Sequence, residues 1–84
     1  MGGIVTASSV GQIYAEHAVW LRNWLHGRTR CAHWAADLTQ ETFCRLVERR
    51  DGGPIRDPRN LLTVIARRLL IGHLRRRDLA QAYL

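Results

Sequence analysis

The apolar residues of this 84-residue chain recur with the 3.6-residue period of an α-helix in three segments. No segment shows the two-residue alternation of a half-buried strand. A helical period restricts the fold, because only a helix gathers residues at this spacing on one buried face. The length allows one small core. We therefore expect an all-α fold, a compact bundle of three main helices over residues 9–84, preceded by a flexible N-terminal segment of residues 1–8.

The first segment is predicted to begin near Ser8 or Ser9, either of which is a suitable N-cap, and to end at Gly27. Two tryptophans lie on or beside its apolar face, so we interpret them as packing residues rather than as recognition residues. This face comprises Val10, Ile13, Tyr14, His17, Leu21, Trp24 and Leu25, with Trp20 at its edge.

The second segment, roughly residues 32–50, has two contrasting faces. Its apolar arc comprises Ala35, Leu38, Thr39, Thr42, Phe43 and Leu46. The opposite face carries Trp34, Asp37, Glu41, Cys44 and Glu48. A tryptophan among carboxylates suits a protein interface better than a nucleic acid, whose phosphates the carboxylates would repel. The alternative is a solvated face on which Glu48 pairs with nearby arginines.

The third segment follows the loop "DGGPIRDP" at residues 51–58. Asp57 is a good N-cap and Pro58 suits the first helical position, so a helix is predicted from Pro58 to Ala80 or beyond. Its apolar residues spread around most of the circumference, which fits a helix that is central or is covered by a partner. The better core face comprises Leu62, Ile65, Ala66, Leu69 and His73, and we interpret His73 as a packing residue rather than a catalytic one.

Charge is distributed unevenly along the chain. All 13 basic residues are arginines, against seven acids. Residues 1–44 hold three of each, whereas residues 45–77 hold ten arginines and three acids. Such asymmetry favours a polyanion or an acidic protein as partner of the second half, with a solvated basic face as the alternative. Within the third segment Arg68, Gly72 and Arg75 share one narrow stripe, with Arg76 beside it.

Several function classes find no support in the sequence. Two cysteines are too few for a disulfide framework, and there is no signal peptide or long apolar span, so we expect a reduced, cytoplasmic protein. The spacing of Cys31, His33 and Cys44 matches no common zinc pattern. Asp37 and Glu41 lie one turn apart but lack an accompanying base, and phosphate-loop, nucleophile-elbow and HExxH motifs are absent. We expect no enzyme, no metal or other cofactor, and no small-molecule substrate.

Three separated stretches of the chain together resemble one family. "AADLTQETFCRLV" resembles a region 2 segment of sigma factors, and "IRDPRNLLTVIARRLLIGHLRRRDLAQAYL" is similar to the helix that follows it in the extracytoplasmic-function group. Together with "YAEHAVWLRNWLHGR", the likeness extends to the iron-starvation branch, the FecI-type sigma factors of the sigma-70 family. It covers roughly residues 13–84, in matching order and spacing.

This resemblance implies a sigma region 2 domain that docks on the clamp helices of the RNA polymerase β′ subunit and captures the promoter −10 element as single-stranded DNA. The family also implies an anti-sigma domain of a membrane-linked regulator as a partner, which could hold the protein near the inner membrane, and a region 4 that we expect to be absent from this chain. The family's polymerase-contacting segment and the outward face of the second helix give the candidate polymerase-binding residues Trp34, Asp37, Gln40, Glu41 and Cys44. The family's base-cradling loop, at residues 51–57 here, and the helix after it give the candidate DNA-binding residues Arg56, Arg59, Asn60, Arg67, Arg68, Arg75, Arg76 and Arg77.

The chain departs from the family pattern at four of these positions or beside them. Arg68 replaces a common Asn, so an amide that could read a base is replaced by a group suited to guanine or phosphate. Gly72 replaces a common Asp, and Trp34 and Ala36 replace common acids.

A helical protein-interaction module without a DNA role is the main alternative to the sigma region 2 interpretation. A basic membrane-surface peptide is a weaker one, because apolar residues interrupt the arginines of the third helix.

Overall fold

The computed structural model describes residues 7–49 and 55–83, with side chains from Val10 onward. Three helices make up nearly all of this part of the chain: α1 (Ala7–Thr29), α2 (Ala32–Glu48) and α3 (Pro58–Ala82). No strand occurs within these two ranges, which confirms the predicted all-α bundle. Of the predicted flexible segment, residues 1–6 lie outside the described part, whereas residues 7 and 8 already belong to α1.

The core lies between one face of each helix. The whole predicted arc of α2 is buried, including Thr39 and Thr42, whose hydroxyls each donate to the carbonyl four residues earlier at 2.7 Å. These bonds satisfy two polar groups that would otherwise be costly to bury. The apolar core comprises Val10, Leu21 and Leu25 of α1, Ala35, Leu38, Phe43 and Leu46 of α2, and Leu62, Ala66 and Leu70 of α3.

Most of the predicted α1 face packs as expected. Trp20 and Trp24 are half-buried against the core, which confirms their packing role. Tyr14 is 45% exposed, but its ring still meets Phe43 edge-on, with centroids 4.9 Å apart. The predicted face therefore contributes to the core along its whole described length.

The prediction that Gly27 ends α1 is wrong. The helix continues to Thr29, whose buried hydroxyl donates to the Leu25 carbonyl at 3.0 Å. Arg30 then takes a left-handed backbone conformation (φ 55°), and its N–H donates to the His26 carbonyl at 2.8 Å. Burial of Thr29 adds a packing contact that a helix ending at Gly27 would lose, and Arg30 occupies the position that glycine usually takes after a helix.

The start of α3 is as predicted. The Asp57 carboxylate accepts the Asn60 backbone N–H at 3.1 Å, and Pro58 begins the helix. Residues 51–54 of the preceding loop, and the predicted last residue of α2, Arg50, lie outside the described residues.

The packing face of α3 is broader than predicted. Leu62, Ala66 and His73 are buried as expected, but Leu70, which the predicted core face does not include, is buried as well. From residue 75 to residue 83 every side chain is exposed, so the last turns extend beyond the packed part of the bundle. Among the described helices, none has the length and apolarity that a membrane crossing needs.

Candidate functional site

The outward side of α2 forms a shallow cavity with the middle of α3. All five candidate polymerase-binding residues line this one cavity, which has a volume of about 480 Å³. We call it the α2 groove. Its lining comprises Trp34, Asp37, Gln40, Glu41 and Cys44, together with Leu38, Arg45, Glu48, His73 and Arg76.

Trp34 lies at the α3 side of the α2 groove. Its indole packs against the imidazole of His73, with ring centroids 4.3 Å apart and planes at 49°, while 42% of the residue stays exposed. His73 is buried as predicted, and its Nε2 has no hydrogen-bond partner among the described residues. Trp34 thus shields a buried imidazole and still presents aromatic surface to a partner.

The carboxylates of the α2 groove are largely accessible to solvent. The side chains of Asp37 and Glu41 are 58% and 51% exposed. Arg45 lies 3.4 Å from Glu41 and 3.8 Å from Glu48. The contact with Glu48 is the kind of local pair that the solvated-face alternative predicts. Exposed pairs of this kind contribute about 0–1 kcal/mol, so they leave the carboxylates open to exchange for a partner's cation.

A second cavity, of about 390 Å³, lies between the end of α2 and the first half of α3. Three arginines line it: Arg68, a candidate DNA-binding residue, Arg45 of α2, and Arg49, which caps the end of α2. We call it the arginine cavity. Its floor is apolar and comprises Leu61, Val64, Ile65 and Leu69. Arg45 and Arg49 were missed as candidates, although the charge bias of residues 45–77 includes them.

The remaining candidate DNA-binding residues are not gathered into one site. Arg56 precedes the N-cap of α3, and the others are spread along that helix, in which residues 58 and 77 are about 28 Å apart at 1.5 Å per residue. Arg76 lines the α2 groove, where the polymerase-binding candidates lie. Arg59 reaches across to α1 instead, where its guanidinium carbon lies 4.7 Å from the centre of the Trp20 ring. All eight candidate DNA-binding residues are exposed, and besides Arg59 five of them line neither cavity: Arg56, Asn60, Arg67, Arg75 and Arg77.

Gly72 is half-buried on the predicted stripe between Arg68 and Arg75. A Cβ built at this position would lie 3.4 Å from Nη1 of Arg76. The space beside the glycine is therefore occupied by a flexible side chain rather than by backbone.

Comparisons with known proteins agree with the resemblance seen in the sequence. The profile of the Sigma-70 region 2 family matches residues 13–80. The ferric citrate uptake sigma factor FecI of Escherichia coli K12 is 39% identical over 72 residues, an alignment that covers 86% of this chain. The chain spans 42% of that relative's length. No solved structure matches the chain significantly. On the family match, which extends over all three helices, this chain belongs to the Sigma-70 region 2 family.

Proposed function

We propose that this chain is the promoter-recognition domain of an alternative, FecI-like sigma factor. In this role the α2 groove binds the β′ clamp helices of core RNA polymerase, and the arginine cavity takes part in capturing the −10 element as single-stranded DNA. The observation that carries the proposal is the contrast between two neighbouring cavities on one small bundle, which share Arg45: three carboxylates line the α2 groove, whereas the lining of the arginine cavity consists of arginines and apolar residues. The ferric citrate uptake named for the relative suggests iron-uptake genes as targets.

The α2 groove has the chemistry expected of a surface that receives arginines. Exposed Asp37 and Glu41 can accept charge-assisted hydrogen bonds, and Trp34 offers a flat apolar face beside them. Opposite charges across such a surface speed and orient docking. Polymerase clamp helices that present arginines, as the family resemblance implies, would complement this groove.

The arginine cavity has the chemistry expected of a site for an unstacked nucleotide. Its apolar floor can receive the face of a base, while Arg45, Arg49 and Arg68 are placed around it to contact phosphate. Opening a duplex and extruding a base costs a few kcal/mol, which such contacts can offset. In this role Arg68, which stands where the family commonly has Asn, would bind the phosphate backbone of the DNA.

The proposal is tested by promoter-directed transcription. The chain, joined to the remaining regions of a FecI-like sigma factor, is added to core polymerase from the source bacterium with a supercoiled template that carries a siderophore-uptake promoter. We expect transcripts that start at the promoter. Co-purification with core polymerase without specific transcripts or −10 binding would favour the protein-interaction alternative, and absence of both would overturn the proposal.

A location and one further partner follow from the same proposal. As a bacterial transcription factor the protein would act in the cytoplasm, and an anti-sigma domain of a membrane-linked regulator would compete for its surfaces. A competition experiment between that domain and a β′ clamp fragment for the immobilised chain would show whether the two share the α2 groove. Simultaneous binding of both would exclude that arrangement.

A further inference from the structure

Arg59 differs from the other arginines of α3 in what its side chain touches. It lies in the first turn of the helix, two residues after the N-cap Asp57. Its guanidinium carbon is 4.7 Å from the centre of the Trp20 ring of α1. Its Nε–H donates to Nδ1 of His17, also on α1, at 3.4 Å. One side chain thus joins the beginning of α3 to two successive turns of α1.

These contacts use the parts of Arg59 that recognise phosphate best. A guanidinium binds phosphate or carboxylate most strongly through two parallel N–H groups, and one such edge includes Nε. In this structure Nε donates to His17, and the guanidinium carbon lies over the Trp20 ring. Binding phosphate through that edge would break the bond to α1.

Because Arg59 lies at the start of α3, its contacts with α1 also affect the residues next to it in the chain. Asn60, a candidate DNA-binding residue, follows Arg59 in the same turn, and Arg56, another candidate, immediately precedes the N-cap Asp57. The Asn60 N–H is bound to the Asp57 carboxylate, and the Leu61 N–H to the Asp57 carbonyl at 3.1 Å, so this turn is internally connected. The arginine cavity begins at Leu61, directly after it. A contact that holds Arg59 against α1 therefore holds this turn and the edge of the cavity.

We infer that Arg59 is a positioning residue, which fixes the first turn of α3 against Trp20 and His17 of α1 and does not itself contact DNA. This inference goes beyond the proposed function and rests on it only for the DNA readout. It reassigns Arg59 from the candidate DNA-binding set. It also gives Trp20, which lies on a different helix from every candidate DNA-binding residue, an indirect role in DNA binding.

The first test measures the binding of a fluorescein-labelled 20-nucleotide single-stranded DNA of mixed sequence across a salt series. We expect Arg59→Ala and Trp20→Leu each to weaken binding about threefold, with the slope of log affinity against log salt unchanged. A lost phosphate contact would lower that slope by about 0.7. Arg59→Lys separates the roles further, because lysine keeps the charge but lacks the planar Nε edge. It should behave like the alanine variant.

The second test asks whether Arg59 and Trp20 act as one unit. In a double-mutant cycle, the combination of Arg59→Ala with Trp20→Leu should bind DNA no more than about twofold worse than either single variant. Amide hydrogen exchange at Asn60 and Leu61 should be faster in both variants at a temperature where circular dichroism shows full helicity. A general loss of stability would speed exchange in all three helices instead.

The outcomes separate this inference from the proposed function. A lowered salt slope in Arg59→Ala, normal binding by Arg59→Lys, or additive effects in the cycle would each overturn the positioning role. If the unaltered chain binds no single-stranded DNA, the proposed function fails. In that case the positioning role is still decided by two measurements that need no DNA. One is the amide exchange rate at Asn60 and Leu61, and the other is the coupling between Arg59 and Trp20 in a double-mutant cycle measured by thermal unfolding. Unchanged exchange with no coupling would refute it.

Discussion

The outward side of α2 and the arginine side of α3 differ in how their candidate binding residues are arranged. In α2, five candidate residues from a few successive turns line one cavity, and two of them are carboxylates. The eight DNA-binding candidates, by contrast, extend from Arg56, just before α3, to Arg77 within it, and only Arg68 among them lines the arginine cavity. A compact groove suits a few strong contacts with a folded partner, whereas a row of arginines suits a long, flexible polyanion. The two surfaces should therefore respond differently to substitution and to salt.

Charge reversal in the α2 groove should have the greatest effect. Asp37→Arg combined with Glu41→Arg places two cations where the clamp helices are expected to bring arginines. We expect at least 100-fold weaker binding to a β′ clamp fragment, measured by biolayer interferometry, with helicity retained. The matched control, Glu16→Arg with Asp78→Arg, changes the net charge equally at exposed positions outside the groove. Equal binding by both double variants would remove the α2 groove from the polymerase interface.

Trp34 should show how much of the α2 groove's binding is apolar. Trp34→Ala removes the ring that covers His73, so we expect about tenfold weaker binding to the clamp fragment and a loss of about 1–2 kcal/mol in the free energy of unfolding. Trp34→Phe should retain most of both. DNA binding by the folded Trp34→Ala variant should be unchanged. A parallel loss of DNA binding would mean that the two surfaces are not separate.

Arg68 should report on the opposite surface. Arg68→Ala removes one charge from the arginine cavity. It should weaken single-stranded DNA binding about fivefold at 0.1 M salt and lower the slope of log affinity against log salt by about 0.7. Clamp binding should be unaffected. Arg22→Ala, an exposed arginine of α1 outside the cavity, is the control and should leave DNA affinity within twofold. If the two variants behaved alike, the effect would be one of net charge and not of the cavity.

Gly72 should give the smallest effect and separate helix stability from charge. Gly72→Ala should raise the free energy of unfolding by about 1 kcal/mol, because glycine is costly inside a helix and only the flexible end of Arg76 lies near the added Cβ. This corresponds to a rise in Tm of about 4–8 °C by differential scanning calorimetry. DNA affinity of this variant should stay within twofold.

Gly72→Asp should also be somewhat more stable than the original chain, yet it should bind single-stranded DNA about threefold more weakly, since it restores a carboxylate between Arg68 and Arg75. Tighter DNA binding by this variant would refute the interpretation of the stripe as a DNA-facing surface.

Features that depend on neighbours along the chain were predictable. The buried arc and the opposite face of α2 follow from spacing alone, and the cap of Asp57 on Asn60 joins residues three apart. The end of α1 was not predictable in this way. Thr29 extends the helix because it is buried by the rest of the bundle, which the local pattern around Gly27 does not record.

By itself, the sequence determined three helices, their core faces, the charge contrast between the halves of the chain, and the family, because periodicity, caps and motifs are local or linear properties. Only the tertiary structure decided which of these residues meet. It packs Trp34 on His73, places Arg45 and Arg49 around the same cavity as Arg68, and turns Arg59 towards Trp20. Each of these contacts joins two helices, so it depends on how the helices cross and how far each is rotated about its axis. That arrangement is set by the packing of the whole core.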